Sequence, residues 1–225
     1  MVKKWDEIRL QEFLIANPMM AVTEHTNNKL VLSGTYHLCA TTTNNGDVDD
    51  DYNIKVEIPS DFPHKIPIVR ETGGKIPRDE KHHVNSYGLG ISDSLCLGSS
   101  IRVLVAIAEE PTISGFVNKC VAPLLYGVSV GSFVFGELAH GARGIFDDYK
   151  EQFGFSKDAQ IIEILFLLSK KKRIANKFNC PCGCGKRLGR CKLHNKINYI
   201  RKLSSRKCFR DELNKIISES RNAKS

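Results

Sequence analysis

The sequence predicts an α+β protein, in which an antiparallel sheet with flanking helices is followed by a small helical, metal-binding module. Apolar and polar residues alternate along residues 30–38 and 52–58, and helical spacing recurs before and after these segments. Four of the eight cysteines crowd into residues 180–191, which predicts the module. Because the strands are grouped together, we expect the helices to be segregated from the sheet.

The first part of the chain contains the predicted strands. Residues 3–16 have helical spacing. Residues 30–38 alternate, and residues 52–58 alternate more cleanly, which is typical of half-buried antiparallel strands. Residues 66–70 are predicted to add one short strand.

The second part of the chain is predicted to be helical. Helical or buried apolar segments extend over residues 101–108, 112–126, 137–153 and 158–177, with a last helix through Phe209, Leu213, Ile216 and Ile217. The longest uncharged stretch, residues 120–136, falls short of the ~20 apolar residues that span a bilayer, so we expect it to be buried core. The first residues do not resemble a signal peptide, and we expect a cytoplasmic protein with no membrane segment.

Charge divides the chain into two predicted domains. Residues 1–155 hold 14 Lys and Arg against 20 Asp and Glu, a net charge of −6. Residues 156–225 hold 19 against 5, a net charge of +14. The basic second domain suits an anionic partner such as nucleic acid or an acidic protein face. The alternative is a solvated basic surface that only aids solubility.

A long irregular segment, residues 73–100, separates the predicted strands from the helices. Such a segment inside a compact domain is usually functional. Cys96 lies in its Gly- and Ser-rich part, and a thiolate can both accept and release an acyl group. Asn85 is a candidate donor to an oxyanion, and Asp93 is a candidate proton acceptor or a simple turn residue. His83 is a candidate catalytic residue or a brace for the loop.

These residues occur in a pattern that resembles the ubiquitin-conjugating enzymes. The stretch "IPSDFPHKIPIV" is similar to their F-P-x-x-Y-P-x-x-P-P-x-V motif, with Phe62, Pro63 and Pro67 matching. In "HHVNSYGLGISDSLCLGSS", His83 and Asn85 resemble the His-Pro-Asn tripeptide with Val84 in place of Pro, and Cys96 precedes Leu as the catalytic cysteine does. The spacing from Asn85 to Cys96 is a few residues longer than is usual in the family.

A further stretch, "GELAHGARGIFDDYKEQFG", resembles bacterial ubiquitin-conjugating-like proteins of antiphage operons, through His140, Gly141, Gly144 and Tyr149. The resemblance covers residues 1–155. It implies a transferase that accepts a protein C-terminus on Cys96 from an activating-enzyme-like protein and passes it to an amine. The transferred protein would be a ubiquitin-like protein or an oligonucleotide cyclase.

The cysteine-rich stretch "CPCGCGKRLGRCKLH" is a candidate zinc site. Cys180, Cys182, Cys191 and His194 can form a closed tetrahedral set, so the metal would be structural. Cys184 is a fifth possible ligand, and the sequence leaves open whether it replaces His194. The stretch resembles the SEC-C motif, with Cys184 where Ser is usual and the final ligand three positions after Cys191.

A second hypothesis is that the whole chain is a binding module. In this hypothesis, the first domain is a catalytically inactive scaffold, and the basic zinc-binding domain recognises nucleic acid or a protein partner. We expect Cys39 and Cys120 to be ordinary core cysteines, since free Cys is among the most buried residue types.

Overall fold

The computed structural model describes residues 8–42, 46–79, 82–85, 92–131 and 142–222. The chain divides into two compact units. The first, here the sheet unit, comprises Met1–Leu97 and Ala106–Glu137. The second, here the helical unit, comprises Gly98–Val105 and Leu138–Ser225. The boundary that the sequence predicts at 155/156 stays a prediction.

The sheet unit is built on four antiparallel strands. They are β1 (Met20–His25), β2 (Lys29–Thr42), β3 (Gly46–Pro59) and β4 (Ile68–Glu71), and they pair in sequence order. The strands predicted from alternation are present, and their apolar sides are buried at Leu32, Ile54 and Val56. β1 was not predicted, because its side chains are exposed after Met20 and show no apolar alternation. The mixed α/β class with an antiparallel sheet is confirmed.

Two helices complete the described core of the sheet unit. α1 is Leu10–Ala16, and α3, Ile113–Val130, contains a π-helical stretch at Val117–Val121. The Thr112 hydroxyl accepts the Gly115 N–H at 2.9 Å and caps the start of α3. The Tyr52 hydroxyl donates to the Leu125 carbonyl at 3.2 Å, which joins β3 to this helix.

Within the described residues, α3 alone is long and apolar enough to cross a membrane by length and composition. More than half of the helix is buried inside the protein, including Phe116, Val121 and Leu125. This is the pattern of a core helix, as the sequence predicts for its uncharged part. A cytoplasmic location stays a prediction.

Helix α2, Ser100–Glu109, has residues in both units. Five further described helices belong to the helical unit. They are α4 (Ala142–Phe153), α5 (Asp158–Ser169), α6 (Lys172–Ala175), α7 (Leu193–Leu203) and α8 (Arg206–Asn222). The helix predicted over 158–177 is broken. The Ser169 hydroxyl donates to the Phe166 carbonyl at 2.7 Å, and Lys170 adopts extended backbone angles.

Candidate active site and metal centre

Cys96 lies at the end of a short antiparallel pairing within the sheet unit. Val84 and Leu95 form a bridge, and both are buried. The Cys96 N–H donates to the His83 carbonyl at 2.6 Å, and the Asn85 N–H donates to the Ser94 carbonyl at 2.8 Å. The Leu95 N–H donates to the Val69 carbonyl at 2.7 Å, so β4 holds the segment that carries Cys96.

Cys96 is partly exposed, although Ser94, two residues before it, is buried. Neighbouring residues along a strand face opposite sides, so Asn85, Ser94 and Cys96 lie on the side opposite the buried Val84–Leu95 pair. The Asn85 Nδ2 atom donates to the Ser94 Oγ atom at 2.9 Å, as side chains on one face should. Cys96 is a free thiol of intermediate exposure. It is therefore not enclosed in the core.

Asp93 and His83 both have left-handed backbone angles. Asp93 has φ 59°, and His83 has φ 56°, a region that is enriched in Asp, Asn and His among non-glycine residues. Asp93 is exposed, and its N–H donates to the Asn85 carbonyl at 3.0 Å. The four residues that the sequence singles out for catalysis are thus joined by one set of backbone hydrogen bonds.

Sequence reasoning missed the buried carboxylate that anchors the start of the irregular segment. Glu71 is 1% exposed, and it accepts the N–H groups of Gly73 at 2.6 Å and Gly74 at 3.0 Å. Arg78 forms an ion pair with the same carboxylate at 3.5 Å. The signal available in the sequence was a carboxylate placed two residues before a Gly-Gly turn. Glu71 fixes the loop that leads to the Val84–Leu95 bridge.

Two other thiols of the sheet unit differ from each other. Cys120 is buried, as expected, and burial raises the pKa of its thiol to about 12. The prediction of a core position for Cys39 is wrong, because this residue is exposed on β2. It lies on the polar side of the alternation, opposite Asp49 of β3. Cys39 is thus an accessible thiol with which Cys96 can be compared.

The helical unit brings four cysteines together as a candidate metal centre. The Sγ atoms of Cys180, Cys182, Cys184 and Cys191 all lie within 4.8 Å of one another. The Cys180–Cys182 and Cys182–Cys191 sulfur pairs are 3.2 Å and 3.5 Å apart, much longer than the ~2.05 Å of a disulfide. Four thiolates around one point are the donor set of structural zinc sites, so the residues fit a zinc ion.

Local backbone structure explains how these cysteines converge. Asn179 and Arg187 form an antiparallel bridge, so the chain turns back within residues 180–186. Gly183 and Gly185 have φ of 79° and 71°, which glycine adopts at little cost. A 3₁₀ turn, Leu188–Arg190, then places Cys191 beside the turn. The two glycines thus allow the tight turn that brings the cysteines together.

His194 is not a member of this group of four. Its Nε2 atom is hydrogen-bonded to the Nδ2 atom of Asn198 at 2.9 Å, and partial burial, with the charges of Lys172 and Arg201, lowers the pKa of its ring. The Leu193 N–H donates to the Cys191 Sγ atom at 3.5 Å, and this contact, with those of the neighbouring thiols, lowers the pKa of the Cys191 thiol to about 7. The arrangement corresponds to the alternative in which Cys184 replaces His194.

No protein-family model, curated protein or solved structure matches the chain. The likenesses to ubiquitin-conjugating enzymes and to the SEC-C motif therefore stay predictions. Of the residues that resemble the antiphage-operon proteins, His140 and Gly141 lie outside the described residues. Tyr149 is fully buried in α4, and its hydroxyl donates to the Glu212 carboxylate of α8 at 2.8 Å.

Proposed function

We propose that this protein is a ubiquitin-conjugating-like thioester carrier that works through Cys96, in bacterial antiphage defence. The observation that carries the proposal is the short pairing that holds Cys96 beside His83, with Asn85 on the same face and the thiol of intermediate exposure. The order of elements supports it: a helix, four antiparallel strands, an irregular segment with the cysteine, then helices.

The proposed reaction has two acyl transfers. The Cys96 thiolate attacks the C-terminal carbonyl of a protein held as a thioester on an activating enzyme, and that enzyme's thiolate leaves. An acceptor amine then attacks the Cys96 thioester carbonyl, the amine loses a proton, and the Cys96 thiolate leaves. A thiolate suits both steps because it is a strong nucleophile and a good leaving group.

Three neighbours have assigned roles. The Asn85 amide nitrogen carries two hydrogens, and its contact with Ser94 uses one, so the other can donate to the oxyanion of each tetrahedral intermediate. Asp93 is the exposed carboxylate closest in sequence to Cys96, and it would accept the proton of the amine. His83 braces the segment through its carbonyl, which accepts the Cys96 N–H.

The test is adduct formation with purified components. We expect an intact-mass increase equal to the donor protein when the chain is incubated with an activating enzyme, ATP and a candidate ubiquitin-like protein or cyclase. The adduct should be released by dithiothreitol, since it is a thioester. Cys96→Ala should abolish it, and Cys96→Ser should leave an oxyester that dithiothreitol does not release.

Cys39→Ala is the matched control, because Cys39 is an exposed thiol of the same unit. This variant should form the adduct as the unmodified chain does. An adduct that persists on Cys96→Ala, or that disappears on Cys39→Ala, would show that another group carries the acyl chain.

We also propose that the four-cysteine group binds a structural zinc ion. Four protein ligands close the coordination sphere and leave no position for substrate, so the metal would stabilise the fold and would not take part in catalysis. The residues around the group form little core, since Cys180, Pro181 and Leu188 are the buried ones between 176 and 192. Folding of this stretch would therefore follow metal binding.

The choice of the fourth ligand gives a paired prediction. Cys184→Ser should weaken zinc affinity by at least tenfold, because it removes one thiolate from the group, whereas His194→Ala should leave equimolar zinc bound. Competition with a chromogenic chelator measures both affinities. The reverse order of effects would assign the site to three cysteines and His194.

A further inference from the structure

One stretch of the helical unit carries a charge distribution that neither the acyl transfer nor the metal explains. Residues 164–210 contain 15 Lys and Arg and no Asp or Glu. Most of these cations are exposed, and they include Lys186, Arg187, Lys192 and Lys202. A protein surface usually intersperses both signs, and a field of one sign attracts a polyanion.

Exposed aromatic rings lie among these cations. Phe178 is 43% exposed, and Tyr199 is 46% exposed. The Phe178 ring packs in an edge-to-face contact with Phe166, with the ring centroids 5.4 Å apart, so it is held in place while part of it faces solvent. A rigid, half-exposed aromatic ring surrounded by cations is the arrangement on which unpaired bases stack.

The fold places each ring next to exposed cations. Phe178 is paired with Leu188 through the N–H of Leu188 and the Phe178 carbonyl, 2.9 Å apart, and the Asn179–Arg187 bridge follows. The exposed cations near Phe178 are thus Lys177, its neighbour in the chain, and Arg187, which pairs with the residue that follows it. On α7, Tyr199 shares a helix face with Lys192 and Lys202, seven residues before and three after it. That face extends over about 15 Å.

We propose that this surface, the cysteine-rich turn together with the exposed face of α7, binds single-stranded nucleic acid. The cations would contact phosphates, and Phe178 and Tyr199 would each stack on a base. An acidic protein face would satisfy the cations but would give the two rings no specific role. The surface contains none of the residues assigned to acyl transfer, so it is independent of the thioester proposal.

Fluorescence anisotropy with the zinc-loaded chain of residues 1–225 and a labelled single strand of about 20 nucleotides tests the proposal. Binding should weaken steeply with salt, with a slope of about −0.7 per phosphate contact. Tyr199→Leu should reduce affinity roughly fivefold or more at an unchanged salt slope, because a stacked base is lost and no charge is. Lys202→Gln should make the slope shallower by about 0.7.

Three controls separate this surface from a general basic attraction. Lys65→Gln changes an exposed lysine of the sheet unit and should leave affinity and slope unchanged. Cys96→Ala should bind as the unmodified chain does. A duplex of the same sequence should bind more weakly than the single strand. Polyglutamate that competes as well as the oligonucleotide, or a Tyr199→Leu chain with unchanged affinity, would overturn the proposal.

Discussion

On the zinc proposal, the Cys180→Ser chain should fail to hold zinc and should lose the ordered structure of the cysteine-rich turn. Cys180 is the buried member of the four, and the turn has little apolar core of its own. Structural zinc contributes an apparent folding free energy of about 10–16 kcal/mol in small modules, and removing one of four ligands forfeits much of it. We expect substoichiometric zinc by elemental analysis and fast amide exchange across residues 176–192.

Cys39→Ser is the matched control for this experiment, since it makes the same chemical change at an exposed strand position. It should keep equimolar zinc and slow exchange across the turn. Equimolar zinc on Cys180→Ser, or exchange as slow as in the unmodified chain, would contradict a structural role for the metal at this site.

Alternation explains how much of the sheet could be predicted. β2 and β3 have one buried face, so their apolar residues recur at every second position and the strands are visible in the sequence. β1 is exposed at five of its six residues and left no such pattern. The pairing of β1 with β2 depends on the tertiary structure and cannot be predicted from the residues of β1 alone.

The sequence suggests which residues form the candidate active site, but it does not show which residues support them. Cys96 stood out because it is a thiol in an irregular, polar segment. Glu71 did not stand out, because the structural role of a buried carboxylate depends on the N–H groups that donate to it in the folded chain. Cys39 shows the converse error, since a preference for burial says nothing about which face of a strand a residue occupies.

At the candidate metal centre, the spacing of the cysteines in the sequence predicts a metal site but not its full set of ligands. The crowding of Cys180, Cys182 and Cys191 predicts a metal site, and the four-cysteine group could hold a metal ion. The sequence could not choose between Cys184 and His194. In the structure a 3₁₀ turn precedes Cys191, and a hydrogen bond joins His194 to Asn198, neither of which spacing alone reveals.

Asp148→Ala should strongly destabilise the helical unit, because it removes a buried carboxylate that has two partners. Asp148 is 2% exposed, its Oδ2 atom accepts the Ser99 N–H at 3.0 Å, and it forms an ion pair with Arg102. Removing it takes away the carboxylate that accepts the Ser99 N–H and the more buried of the two carboxylates that contact the Arg102 guanidinium. Breaking a buried pair in this way costs about 3–5 kcal/mol, and we expect about 3 because Arg102 is partly exposed.

Glu151→Ala is the matched control, because Glu151 also forms an ion pair with Arg102, at 2.8 Å. Unlike Asp148, the Glu151 side chain is 73% exposed. Ion pairs at such exposure contribute about 0–1 kcal/mol. Urea unfolding followed by far-UV circular dichroism should therefore give a clearly lower midpoint for Asp148→Ala and a nearly unchanged one for Glu151→Ala. Equal losses would mean that the contact with Arg102, and not burial, sets the effect.

The same network determines what else Asp148→Ala should change. Ser99 and Ser100 follow Cys96 by three and four residues, and Ser100 donates to the Glu212 carboxylate of α8 at 2.9 Å. Since Glu212 also accepts the Tyr149 hydroxyl, the start of α2, α4 and the C-terminal helix share one set of polar contacts. Amide exchange should therefore speed up at Ser99 and Arg102 in Asp148→Ala, while the Val84–Leu95 bridge, held by Val69 of β4, keeps its protection.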